Sequence, residues 1–111
     1  MADYTAVRVD DIEATAPATC RRAGEALGVE AFAIGLHDLP PLTDDHPQHD
    51  HAGDGREEVY VTLEGWGELD VDGERVRLGP EVLVRVGPDA RRKVYPGPDG
   101  IRVLVVGATA A

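Results

Sequence analysis

The sequence has few of the features expected of a membrane-associated, disulfide-stabilised or nucleic-acid-binding protein. Cys20 is the only cysteine among 111 residues, which excludes an intrachain disulfide and a cage of thiolate metal ligands. No apolar run approaches the roughly 20 residues needed to cross a bilayer. The 11 Lys and Arg are outnumbered by 21 Asp and Glu, and the net charge of −10 repels phosphate backbones and anionic lipids. We therefore expect no nucleic-acid or membrane partner.

The length and the first residues of the chain predict a single cytoplasmic domain. A chain of 111 residues fits one domain on the usual size prior. The start, Met-Ala-Asp-Tyr-Thr, lacks the basic leader and apolar stretch of a signal peptide. A lone cysteine is also typical of a reducing compartment.

Short strand patterns recur along the chain and are separated by Gly, Pro and Asp. An Asp72-Gly73 pair predicts a tight hairpin, and the Pro and Gly cluster at 96–100 predicts a turn between the last two strands. The expected strands are 4–9, 29–39, 57–64, 68–71, 75–78, 82–86, 92–95 and 101–106. This pattern predicts an all-β fold, an antiparallel β-barrel or jelly roll, with less than about one-fifth helix.

The N-terminal region has a different pattern from the rest of the chain. Residues 1–28 are expected to form the strand at 4–9 and a short helix over 20–27, stopped by Gly28, and to pack on the barrel. The barrel itself is expected over 29–107, and 108–111 is expected to be a frayed tail of small residues.

Three of the four histidines lie within six residues, as His46, His49 and His51. In an extended segment, side chains two positions apart point the same way. His49 and His51 can therefore meet a carboxylate from an adjoining strand. Two imidazoles and a carboxylate suit a divalent transition metal such as Zn, Fe, Mn, Ni or Cu. The spacing alone fits a solvated, acidic and histidine-rich loop equally well.

The segment from His49 to Gly65 resembles the first signature motif of the cupin superfamily. His49-x-His51 is followed by Glu58, and six residues separate Glu58 from Gly65. The resemblance covers roughly 29–107. It implies a small single-domain β jelly roll with a divalent metal bound by His49, His51 and Glu58. Strand alternation places the neighbouring Glu57 on the opposite face.

The resemblance is weaker at two points. Six residues lie between His51 and Glu58, where the family usually has three or four, which lengthens a loop. In the second motif, Arg92 stands where the family has a fourth metal ligand. A guanidinium has no lone pair to donate to a metal. Arg92 is therefore expected either to clamp an anionic ligand or to pair with Glu58.

Further side chains are candidates for binding a substrate. Tyr60 and Thr62 share the strand phase of Glu58 and should line the same cavity. His37 alternates with Gly35 and Ala33, which fits the barrel interior as well as a structural histidine. His46, which precedes Pro47 in a loop, is expected to be solvated.

Two functions of different classes remain open at this point. The resemblance implies a metal-dependent enzyme of oxygenase, isomerase or epimerase type acting on a small organic molecule. The alternative is a metal-free binding module, in which Arg92 holds an anionic ligand without catalysis. A homodimer is expected in both cases, because a short chain with open strand edges buries only about two-thirds of its surface.

Overall fold

The chain is built mainly from β-strands. The computed structural model describes residues 2–16 and 19–110. Helix in these residues is limited to a 3-10 turn at Val9–Asp11 and a five-residue helix, α1. The remaining elements and α1 span these residues: β1 Ala14–Thr15, β2 Cys20–Arg21, α1 Ala23–Leu27, β3 Ala33–Leu39, β4 Arg56–Val71, β5 Glu74–Leu78, β6 Leu83–Val86 and β7 Arg92–Thr109. The predicted all-β fold with little helix is confirmed.

One antiparallel sheet contains all of these strands, with β4 and β7 as its long central pair. The strand order is β1-β2-β3-β7-β4-β5, and β6 also pairs with β4. The first half of β4 lies between β6 and the end of β7, and its second half lies between β5 and the start of β7. The predicted Asp72-Gly73 turn joins β4 to β5, with Val71 opposite Glu74. This arrangement is the predicted antiparallel barrel of jelly-roll type.

The predicted turn at 96–100 is instead part of the continuous strand β7. The pairing of β4 with β7 shifts register between Thr62 and Glu64 and again between Gly65 and Gly67. A Cβ at Gly65, where φ is 73°, would collide with the Gly100 carbonyl oxygen. The two backbones approach too closely here for a side chain, and the resulting bulges bend the strand without ending it.

The alternation of β4 separates the barrel interior from its outer surface. Glu58, Tyr60 and Thr62 are buried inside, whereas Leu63 is 44% exposed on the outer face. The core comprises Leu39, Tyr60, Leu69, Leu78, Val86, Val94, Ile101, Val103 and Val105. Glu58 is thus a charged residue on the face that otherwise forms the core.

The N-terminal region differs from its predicted structure. The strand expected at 4–9 is wrong: this segment forms no strand and leads into the 3-10 turn at Val9–Asp11, and the sheet begins beyond it with β1 and β2 beside β3. The helix expected over 20–27 begins only at Ala23, since Cys20–Arg21 pairs with β3. Gly28 ends α1 as predicted, in the left-handed conformation (φ 77°).

The predicted tail is also shorter than expected, because β7 extends to Thr109 opposite Arg56. Met1 and Ala111, at the ends of the expected N-terminal region and tail, lie outside the described residues, as do Pro17 and Ala18. No helix in the described part of the chain is long and apolar enough to cross a membrane.

Candidate metal centre

The loop between β3 and β4 brings His49 and His51 to the end of the barrel where β4 begins. His49 forms a backbone bridge with Arg92: its N–H donates to the Arg92 carbonyl at 3.1 Å, and the Arg92 N–H donates back at 2.8 Å. The His51 N–H donates to the Pro88 carbonyl at 2.8 Å. These bonds tie the loop to the start of β7 and to the turn before it, and so fix both histidines beside Glu58.

Both imidazole rings are oriented by a hydrogen bond at Nδ1. His49 Nδ1 lies 3.0 Å from the Pro47 carbonyl oxygen, and His51 Nδ1 lies 3.2 Å from the Asp54 carboxylate. Since a carbonyl can only accept, Nδ1 of His49 carries the hydrogen. Each ring then directs Nε2 at Glu58 Oε1, at 3.8 Å from His49 and 3.4 Å from His51. Partners of this kind fix the tautomer and orientation of metal-binding histidines.

Glu58 is held as an anion in a largely buried position. Burial alone raises the pKa of its carboxyl, but contact with His49, the charge of His51 and a 3.1 Å hydrogen bond donated by Tyr60 Oη outweigh that effect and lower the pKa. Contact with Glu58 also raises the pKa of His49, against the opposing effect of burial. Glu58 is therefore available as a negatively charged ligand at neutral pH.

Glu57 points away from this group, as strand alternation predicted. Its carboxylate accepts a 2.6 Å hydrogen bond from Arg85 Nε on the outer surface. Of the two adjacent glutamates, only Glu58 reaches His49 and His51.

Arg92 lies behind Glu58 and is fully buried. Its Nη2 donates to the Gly87 carbonyl at 2.6 Å, and Nη1 lies 3.9 Å from Glu58 Oε1. Nε and Nη1 have no hydrogen-bond partner among the described residues. The geometry brings Arg92 to the same carboxylate oxygen that both histidines face, which fits the expected pairing with Glu58. Its role toward an anionic ligand stays a prediction.

The His49, His51 and Glu58 side chains fit a divalent transition metal. One ligand atom from each lies within 4.8 Å of the others. His51 Nε2 is buried without a hydrogen-bond partner in the described structure, although buried polar atoms are normally satisfied. Two imidazole nitrogens and a carboxylate oxygen are also a ligand set that zinc and neighbouring metals accept.

His46 is buried, and the expectation that it is solvated is wrong. Its Nδ1 accepts a 3.0 Å hydrogen bond from the Val94 N–H on β7, so the neutral ring carries its hydrogen on Nε2. His37 and His49 contact it at ring-centroid distances of 5.2 and 5.6 Å. Burial, together with the charges of His37 and His49, lowers the pKa of His46 to about 3. His46 is therefore a neutral structural residue beside the candidate metal ligands.

This burial predicts a loss of stability in mild acid. Below the ordinary histidine pKa of about 6.5, the unfolded chain binds a proton at His46 that the folded protein excludes. The free energy of unfolding should therefore fall by up to about 1.4 kcal/mol per pH unit between pH 6.5 and 3. His46→Asn keeps an acceptor for the Val94 N–H and should reduce this slope in urea denaturation measured across that range. An unchanged slope would contradict the assignment.

A cavity of about 420 Å³ opens beside two of the candidate ligands, His49 and Glu58. His49, Glu58, Tyr60 and His37 line it, as expected from strand phase. Thr62 and Arg92, which were also expected to bind substrate, are buried behind the wall and are not among its described lining residues. Their assignment stays a prediction.

Several residues of the cavity wall were not predicted from the sequence, among them Cys20, Arg22 and Arg56. Arg56 could have been found by extending the strand phase of Glu58 back by two residues. The expected strand began at Glu57, which left Arg56 in the preceding loop.

Comparison with solved structures identifies the fold. A cupin protein from Bacteroides fragilis superposes with a TM-score of 0.78 at 23% identity, covering 100% of this chain and 88% of that one. The chain has a cupin fold. A predicted oxalate decarboxylase from Thermotoga maritima matches with a TM-score of 0.77 at 18% identity, over 96% of this chain and 100% of its own.

A sugar phosphate isomerase of the cupin superfamily from Silicibacter pomeroyi matches with a TM-score of 0.74 at 21% identity, over 96% of this chain and 76% of the isomerase chain. No protein-family model and no curated protein sequence matches the chain. At these identities, the similarities establish the cupin fold alone.

Proposed function

We propose that this cupin binds one divalent transition metal through His49, His51 and Glu58 and binds a small anionic organic molecule in the adjoining cavity. The observation that carries the proposal is the convergence of His49 Nε2 and His51 Nε2 on Glu58 Oε1, with each Nδ1 already engaged by an acceptor. An oriented pair of imidazoles around a buried carboxylate has the form of a preorganised ligand set.

The chain supplies three ligands and no fourth donor at Arg92. A metal held by three protein groups retains positions for water or a ligand oxygen, and when bound it would act as a Lewis acid toward a carbonyl or carboxylate. Tyr60 keeps the Glu58 carboxylate in place through its 3.1 Å hydrogen bond. Tyr60 also belongs to the apolar core beneath the site.

Metal analysis of the untagged protein tests this proposal. After separate dialysis against Zn²⁺, Fe²⁺, Mn²⁺, Ni²⁺ and Cu²⁺ and removal of free ions, we expect about one metal per chain with at least one of them by inductively coupled plasma mass spectrometry. A content well below one for every metal in the Zn, Fe, Mn, Ni and Cu series would refute it.

A metal-free binding module is the second candidate, and the position of Arg92 favours it. Its buried guanidinium already offsets the charge of Glu58 at 3.9 Å, so the group is electrostatically balanced without a metal. The metal analysis separates the two candidates, since only the first requires stoichiometric metal.

We also propose a cytoplasmic homodimer formed through the outer face of the β4–β6 sheet. The lone Cys20 is consistent with a reducing compartment. On the outer face, Leu63 and Leu83 are 44% and 70% exposed, and Val61 lies opposite Leu83 and Leu104 in the register. Exposed apolar residues along a sheet edge favour contact with a second copy.

Substitution of Leu83 tests the dimer. Light scattering at micromolar concentration should give the mass of two chains for the wild type and of one chain for Leu83→Asp, because a carboxylate in an apolar interface would be desolvated without a partner. Leu42→Asp is the matched control, since Leu42 is 74% exposed in a different part of the surface and should leave the dimer intact. A monomeric wild type would contradict the proposal.

A further inference from the structure

We propose that Arg56 is the residue that holds the anionic group of the ligand, and that this ligand is a short carboxylate or phosphate ester. The inference rests on the proposed binding of a small anionic molecule and identifies its chemical class and its anchor. It is based on the position of Arg56, which lines the same cavity wall as His49 and Glu58.

The strand places Arg56 beside the candidate metal ligands. Arg56 is the first residue of β4 and precedes Glu58 by two positions, so both side chains project from the same face. Same-face neighbours on a strand are about 7 Å apart. A ligand of only a few atoms could therefore contact Arg56 at one end and the His49, His51 and Glu58 group at the other.

A glycine on β7 makes room for the Arg56 side chain across the sheet. Gly107 lies opposite Glu58 in the register. An ideal Cβ built at Gly107 would be 2.9 Å from Arg56 Cδ and 3.0 Å from Cγ, closer than real Cβ contacts. The aliphatic part of Arg56 thus packs directly on the Gly107 backbone, and this contact directs the side chain over the strand toward the cavity.

The Arg56 guanidinium is available to an incoming anion. Among the described residues it forms no ion pair with a carboxylate, in contrast to Arg22, which pairs with Glu25 at 3.6 Å, and to Arg85, which pairs with Glu57. The nearby Asp54 carboxylate is engaged by His51 Nδ1 and by the Arg56 backbone N–H at 3.0 Å. In a protein of net charge −10, an unpaired arginine on a cavity wall is a local site of attraction for anions.

The rest of the cavity restricts the ligand to small molecules. The volume of about 420 Å³ lies at the lower end of ligand pockets. Beyond the charged group, the apolar side chains of Val29, Phe32, Ile34 and Val105 form part of the wall, which also includes Cys20, Arg22 and Glu25. A guanidinium binds carboxylate and phosphate oxygens through the same paired hydrogen bonds, so the shared chemistry is that of a small oxyanion with a short carbon chain.

An NMR titration of the metal-free protein tests this inference. ¹H–¹⁵N spectra are recorded with increasing propionate and, separately, inorganic phosphate, with sodium chloride at matched ionic strength as the reference. We expect saturable shifts around Arg56 and Gly107 with at least one of the two anions and none with chloride. The anion that binds more tightly identifies the carboxylate or the phosphate as the preferred group. No saturable shift with either anion would overturn the inference.

Three variants test whether Arg56 binds the anion independently of the metal site. Arg56→Met should weaken binding of the anion at least tenfold, since a charge-assisted hydrogen-bond pair is lost, while Arg56→Lys should retain part of it. Arg85→Met removes an arginine from the outer face and should have no effect. All three should bind metal as the wild type does. Unchanged anion binding in Arg56→Met, or loss of its metal binding, would contradict the assignment. Wild-type protein that binds the anion but no metal would instead refute the proposed metal function alone.

Discussion

Glu58→Gln is expected to weaken metal binding at least about 100-fold, because it removes the charged oxygen on which both histidines converge. Removing a group that only hydrogen-bonds to a metal ligand already lowers metal affinity 10- to 100-fold. Glu58 is placed to bind the metal directly, so its loss should cost at least as much. His49→Ala should have a comparable effect. Isothermal titration calorimetry with Zn²⁺ or Mn²⁺ measures both.

Glu57→Gln is the matched control for this series. It makes the same chemical change one residue earlier, where the carboxylate faces outward and binds Arg85. We expect its metal affinity to stay within about twofold of the wild type. Equal losses in Glu57→Gln and Glu58→Gln would show that net charge, and not direct ligation, governs binding.

Arg92→Met is expected to tighten metal binding and to destabilise the metal-free protein. The guanidinium and a bound metal would share Glu58 Oε1, which lies 3.9 Å from Arg92 Nη1, so removal of the positive charge removes a competitor and a source of repulsion. Without metal, the same change deprives a buried carboxylate of a cationic partner, which costs up to about 3 kcal/mol. Thermal unfolding with and without Zn²⁺ should therefore show a larger stabilisation by metal in the variant than in the wild type.

Arg92→Lys tests whether the positive charge of Arg92 or the shape of its guanidinium affects metal affinity. Lysine retains the positive charge but not the planar group that donates to Gly87. Metal affinity should stay close to that of the wild type if charge is the cause. A weaker metal affinity in Arg92→Met than in the wild type would contradict the arrangement described for Arg92 and Glu58.

The central part of the site could be predicted because its positions depend on short-range rules. Alternation along β4 separates Glu58 from Glu57, and the loop histidines two residues apart resemble a known motif. The Asp72-Gly73 hairpin is similarly local, since a positive φ at both residues (50° and 92°) is a requirement that Asp-Gly meets.

The parts that could not be predicted depend on contacts distant in sequence. His46 is buried because its ring accepts a hydrogen bond from Val94, 48 residues away. The cluster at 96–100 stays in a strand because Gly65 on β4 lets the two backbones approach. The alternation at 4–9 is that of a strand, but a strand also needs hydrogen bonds to a neighbouring strand, and residues 4–9 form no such pairing.

Anomalous scattering from crystals grown with Zn²⁺ or Mn²⁺, recorded on both sides of the absorption edge, tests the central claim most directly. We expect one strong peak per chain, about 2.1 Å from His49 Nε2 and His51 Nε2 and in contact with a Glu58 carboxylate oxygen. No peak at these three side chains in metal-saturated crystals, or a peak only at the exposed carboxylates of the surface, would contradict it.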